Sequence, residues 1–285
     1  MAQPVGLGKT AMVVDETIGL ISDFYRERLS QITMDRLIAG IFFTGVKLSN
    51  NLAGLSYTPT ADIHQEGGCI HVDGVPRDHY HFKGLPVSDI LDLKDQGMLV
   101  RTVQIVILNA LSAQYLNGSH YQVVEDRDPM ELLDLRQLRY VAMVGAIPPF
   151  LKRLKKEAHL KLHLVERKKD SLADDEIRLL VPEEMISEML PRCDAVIITG
   201  AAIANGTMEN LLELVNDEAT VVVAGPTAGF LPDALFARGV SMVSTVMVSD
   251  PDRALELLAE GNGAFQLFAA KCMKKINLLN STSRF

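Results

Sequence analysis

Tryptophan is absent from the 285 residues, aromatic residues make up 6%, and cysteine occurs three times, at Cys69, Cys193 and Cys272. An odd, scattered set of thiols does not build a disulfide scaffold and fits a reducing cytoplasm. No run of about 18 consecutive apolar residues occurs, so no helix is expected to span a bilayer. The opening MAQPVGLGKT has no charged segment followed by an apolar one, so no secretory signal is expected. Positive charge is scarce: 28 Lys and Arg face 36 Asp and Glu, leaving −8. That balance argues against a broad nucleic-acid or anionic-membrane footprint. Also missing are G-x-S-x-G, H-E-x-x-H and any Cys/His nucleophile signature. Gly8-Lys9-Thr10 resembles the tail of a P-loop, but Gln3 stands where the first glycine belongs and no strand precedes it.

What is present is ordinary globular material. Hydrophobic residues make up 48% and charged residues 22%, with a mean hydropathy of +0.14, enough to build a sizeable core. The length suits two domains, expected at 1–125 and 126–285. In the first, residues 10–30 carry apolar positions at helical spacing. Residues 36–48 and 52–58 are expected as a hairpin around Asn50-Asn51. Residues 59–88, rich in Gly, Pro, Asp and His, are expected as a long ordered loop. Residues 89–117 are expected as helix interrupted at Gly97.

After a charged stretch at 120–139, expected as a short linker helix, the pattern changes. Short β-branched runs at 140–145, 160–165, 195–199, 220–224 and 240–248 alternate with helical stretches. Buried strands alternating with helices predict an α/β domain around a parallel sheet. Pro149, Pro232 and Pro251 suit first helical turns, Thr207 and Asp250 suit N-caps, and Gly239 and Gly261 suit left-handed helix ends.

Several constellations could carry chemistry. YVAMVGAIPPF is a strand, turn and helix that ends its strand at Gly145, yet it lacks G-x-G-x-x-G, and its prolines remove amides that would cradle a pyrophosphate. Glu166 lies about 20 residues further on, where a dinucleotide domain places its ribose-binding acid. It could equally be a surface acid beside Arg167 and Lys168. Thr199-Gly200 ends a strand, and Asn205, Gly206 and Thr207 open a helix. Together they put hydroxyls, an amide and backbone N–H groups at a carboxyl edge, where open α/β sheets bind ligands. Gly225-Pro226-Thr227 ends the next strand and should lie alongside. Asn109, polar within an apolar helix, needs a partner or faces a cleft. His64, Cys69, His71, His79 and His81 cluster within 64–81. Cys69/His71 and His79/His81 would share a face on a strand and could chelate a metal, although no zinc-site spacing is present. A solvated polar loop is the plain alternative.

The segments VAMVGAIPPFLKRLKK, LHLVERK, CDAVIITGAAIANGTMENLLEL and VVVAGPTAGFLPDALFARG resemble the putative heavy-metal chelation domain family. GIFFTGVKLSNNLAGLSYTP and LNALS resemble the enolase-N-terminal-like domain that precedes it. The resemblance covers roughly residues 10–265 and implies an enolase-like α+β domain packed on a Rossmann-like domain. A cleft would lie between them, holding Gly145, Glu166, Thr199, Asn205, Gly206, Thr207, Gly225, Pro226 and Thr227, with Tyr57, Thr58 and Asn109 from the first domain. The function it implies is binding of a small polar or anionic ligand, or of a heavy-metal ion or its complex. Two alternatives stay open: an enzyme using a nucleotide-type cofactor (a transferase or oxidoreductase) at the same cleft, and a noncatalytic chaperone or sensor delivering metal through the His-rich loop. A homodimer is a reasonable expectation.

Overall fold

The computed structural model describes residues 12–65, 71–72, 75–76, 81–94, 97–116, 118 and 120–281. Near the N-terminus, β1 (Met34–Ala39), β2 (Phe43–Leu48) and β3 (Ala53–Tyr57) form an antiparallel sheet in that order. Asn50 and Asn51 turn β2 into β3 as the sequence predicts. Asn51 sits at φ 65°, a left-handed conformation that Asn tolerates better than most residues. The run 36–48 is not one arm of a hairpin. Gly40 lets it reverse, with Gly40 N–H donating to Phe43 O at 3.1 Å, so it supplies both β1 and β2. Residues 59–88 hold more regular structure than the expected loop. A helix spans Thr60–Gln65, β4 (His71–Val72) pairs with β5 (Val75–Pro76), and Val87 opens the helix Val87–Leu91.

The helix Met98–Ser112 is buried continuously from Thr102 to Ser112. Buried on all sides, with its few polar side chains bonded, it lies between other layers. β3 crosses it at Gly54, where a Cβ would stand 2.1 Å from Val106 O and 2.6 Å from Ala110 N. Only glycine permits that approach.

The second sheet has seven strands: β6 (Gln122–Glu125), β7 (Tyr140–Val144), β8 (Lys161–Val165), β9 (Ala195–Thr199), β10 (Thr220–Ala224), β11 (Met242–Val248) and β12 (Met273–Leu279). Their order is β6-β12-β11-β10-β9-β7-β8. β7 to β11 are parallel and correspond to the five apolar runs; β12 and β6 add antiparallel. The expected linker helix at 120–139 is absent. Val123 and Val124 pair against Leu278 and Asn277, so the chain enters the large sheet before residue 126. After β6, the Asp128 and Asp134 carboxylates accept from Met130 and Arg136 N–H, stabilising two single turns, Pro129–Glu131 and Leu135–Gln137.

One apolar cluster runs through both halves. It joins Val46 and Leu48 of β2, Val103 and Ile107 of the buried helix, and Val196, Ile198, Val221 and Val223 of the large sheet. The parallel strands end along one edge, at Gly145, Glu166, Thr199-Gly200 and Gly225, and the end of β3 meets that edge.

Candidate functional site

Contacts at this carboxyl edge close into a ring. Gly145 has φ 81°, and a Cβ there would stand 2.3 Å from Thr199 Cγ2. Next to Thr199, Gly200 donates its N–H to Ala224 O at 2.7 Å, and a Cβ on it would lie 3.2 Å from Thr227 Cβ. Gly225, at φ 127°, and Pro226 lead into Thr227. Thr227 Oγ1 accepts from Tyr57 N–H at 3.0 Å and lies 3.4 Å from the Ser56 hydroxyl. The Tyr57 phenol accepts from Lys168 Nζ at 3.1 Å. Glu166 closes the ring: Oε1 accepts from Lys168 N–H and Oε2 from Ala146 N–H, both at 2.7 Å.

The electrostatics follow from these partners. The Tyr57 oxygen, together with the Glu166 and Asp62 carboxylates, holds the Lys168 ammonium above the usual lysine range, so it is charged at neutral pH. Its charge also stands 5.8 Å from the Tyr57 ring centroid, and Arg167 lies 4.0 Å from Asp62. The mouth thus offers an ammonium, a guanidinium, a phenol and the Thr199 hydroxyl, with the Glu166 and Asp62 carboxylates beside the two cations. The cations and hydroxyls suit the oxygens of an anion. Sequence reasoning named Arg167 and Lys168 only as neighbours of Glu166. The signal available for Lys168 was its position three residues beyond the end of the parallel strand β8.

The other expected residues divide into three groups. Asn109, Thr58 and Thr227 are buried and bonded to protein. Asn109 Nδ2 donates to Leu55 O at 2.6 Å, Pro226 O at 3.0 Å and Thr227 O at 3.3 Å, and the Thr58 and Thr44 hydroxyls share a bond at 3.0 Å. They form a seam between the two halves. The void bordered by Asn109, Gly54, Pro226 and Gly229 has a volume of about 10 Å³, room for one water and no larger ligand. Asn205, Gly206 and Thr207 lie off the ring, beyond the helix Ala201–Ala204. The Thr207 hydroxyl donates to Asn205 Oδ1 at 2.7 Å and makes no cap bond, and a Cβ on Gly206 would approach Met12. That corrects the expected N-cap: Asn205 supplies the side-chain oxygen that receives Thr207 N–H, at 3.3 Å.

Cys69 and His79 lie outside the described residues, as do the side chains of His64 and His71. His81 is exposed beside an open groove of about 430 Å³ shared with Asp35, Arg36 and Lys83. Among the described residues, no group of three or more His, Cys, Asp or Glu stands together to hold a metal ion. Burial pushes the Cys193 thiol up to about 11 and raises Cys272 as well, so neither is a thiolate at neutral pH. No helix among the described residues is long and apolar enough to cross a membrane.

Comparison with known proteins places these observations. Two family patterns, both described as putative heavy-metal chelation, match residues 128–278 and 23–112. An uncharacterized protein of Methanocaldococcus jannaschii is 26% identical over 185 residues, 63% of this chain and 68% of that one. Two solved structures share the fold, both of proteins of unknown function from the DUF364 family and both 19% identical. The Pyrococcus horikoshii protein superposes with a TM-score of 0.73, covering 94% of this chain and 100% of its own. The Desulfitobacterium hafniense protein does so with 0.65, covering 92% and 98%.

Proposed function

The chain belongs to the DUF364 putative heavy-metal chelation family, and on that footing we propose that the ring at the carboxyl edge binds a small, oxygen-rich anion. A metal would arrive already wrapped by such an anion. The observation that carries the reading is the closed circuit from Tyr57 through Thr227, Gly200, Thr199, Gly145, Ala146, Glu166 and Lys168 back to Tyr57.

The donors explain the choice of ligand. Lys168 and Arg167 supply positive charge at the mouth, while Tyr57 and Thr199 supply neutral hydroxyls. A bare soft cation prefers grouped thiolates and imidazoles; no such group stands among the described residues, and Cys69, His79 and the side chains of His64 and His71 lie outside them. A nucleotide-cofactor reading draws less support, because both Glu166 oxygens already accept backbone N–H groups that shape the Gly145-Ala146 turn. A ribose diol would have to share oxygens already turned toward those amides.

Calorimetry with citrate, zinc–citrate and zinc alone tests the proposal. Citrate and its zinc complex should bind the wild type. Lys168→Met should weaken them about tenfold, the scale of one charge-assisted hydrogen bond, and Thr199→Val should weaken them less. The double substitution Asn205→Ala, Thr207→Ala, off the ring, should leave binding unchanged. Equal affinity in the wild type and in Lys168→Met would reject the site.

A further inference from the structure

We propose that an uncharged apolar face made by the β1–β2 turn and the helix Ala264–Ala269 is where two copies of this chain associate. The inference is independent of the ligand reading.

Phe265 is 81% exposed, Ile41 66%, Phe42 52% and Phe268 38%. They stand on two segments that adjoin. The loop entering the helix lies against the turn: a Cβ on Gly261 would stand 3.2 Å from Ile41 Cδ1, and one on Gly263 would stand 3.7 Å from Phe42 Cδ2. A whole aromatic side chain carries about 200 Å², so the four side chains offer roughly 450 Å² of apolar surface. That is about half of the roughly 800 Å² each partner buries in a standard interface. Ala39, Ala259, Ala269 and Ala270, all exposed beside them in the chain, extend it.

Charge selects the occupant. LIAGIFFTGV (37–46) and GNGAFQLFAA (261–270) contain no charged residue, although such residues make up 22% of the chain. A two-fold interface sets one face against itself, so a charged face would oppose like charges, and an apolar one avoids that cost. A basic or acidic partner would find only the exposed Glu260 and Lys271, one of each sign, at the ends of the second segment. An anionic membrane is disfavoured by the absent Lys and Arg and by the net charge of −8. Phe42 O accepts from Thr58 N–H at 3.0 Å and Phe43 pairs with Tyr57, so the second copy would sit beside the mouth of the ring.

Sedimentation equilibrium of the full chain across about 1–100 µM, spanning micromolar affinity, is the test. The wild type should show twice the 31.3 kDa chain mass. Ile41→Glu with Phe265→Glu should return it to one chain mass with an unchanged circular-dichroism melt, since both side chains are exposed. Ile177→Glu, exposed elsewhere, should not. A wild type that stays monomeric at the highest concentration overturns the proposal, as does a dimer that survives the double substitution. Flotation of monomeric wild type with phosphatidylcholine vesicles would overturn it in favour of a lipid surface.

Discussion

The seam around Asn109 and the mouth around Tyr57 use the same kinds of group, amides and hydroxyls at the end of one sheet, and put them to opposite use. At the seam, Asn109, Thr58 and Thr227 are at most 5% exposed: the Asn109 amide donates to backbone carbonyls, the Thr58 hydroxyl bonds the Thr44 hydroxyl and the Thr227 hydroxyl accepts from Tyr57 N–H, while Asn109 Oδ1 alone of these has no partner among the described residues. At the mouth, Lys168 is exposed and Tyr57 and Glu166 are half-buried, with bonds that leave their outer faces to solvent. A buried polar group whose bonds are made holds architecture, and breaking one bond strands the partner. An exposed one can exchange its partner for a ligand at little cost. The comparison therefore predicts that seam substitutions lower stability and mouth substitutions lower binding.

The largest expected effect lies under the seam. Gly54→Ala drives a methyl into the backbone of the buried helix at Val106 and Ala110, and should cost about 3 kcal/mol or more in chemical denaturation. Asn109→Ala takes the amide donor from three carbonyls, of which Pro226 O keeps Gly229 N–H at 3.2 Å, and should cost about 2 kcal/mol; a neutral result would break the distinction between seam and mouth. Thr227→Val removes the acceptor for Tyr57 N–H, with about 1 kcal/mol expected, while Thr227→Ser should retain most of it.

Smaller still is the Glu16–Arg238 pair, which ties the N-terminal helix Val13–Tyr25 to the Rossmann-like half. The Arg238 guanidinium, through its hydrogen bond first, holds the Glu16 carboxyl below its ordinary 4.5. A lowered folded-state pKa contributes stability above that ordinary value and loses it as pH falls through the folded one. Wild type should exceed Glu16→Gln by less than about 1 kcal/mol at pH 7, and the gap should close below pH 4.5. Urea titrations at several pH values read this directly. Last, Lys168→Met should shift stability by under about 0.5 kcal/mol, as a surface substitution does, while weakening anion binding. A large loss of stability there would make the mouth a second seam.

Much of the fold was legible. The five apolar runs became β7 to β11, Asn50-Asn51 formed the expected turn, and Gly239 and Gly261 took the left-handed conformations their positions suggested. The helices starting near Pro149 and at Pro251 began within a residue of those signals. β6 was missed because the Asp- and Arg-rich stretch beside it outweighed two valines, and β12 because the adjacent Lys274 and Lys275 break its apolar run. The candidate site was only partly legible. Thr199, Gly145, Glu166 and Tyr57 stand in the ring, but Lys168 entered it through a contact 111 residues away in the chain.

Sequence alone determined the kind and order of elements, since periodicity, prolines and glycines act within a few residues. Which polar groups are engaged and which are open was decided only in three dimensions. The carbonyls that take up Asn109 lie 54 to 118 residues from it, and nothing in the local pattern distinguishes a hydroxyl that meets such a partner from one that meets solvent.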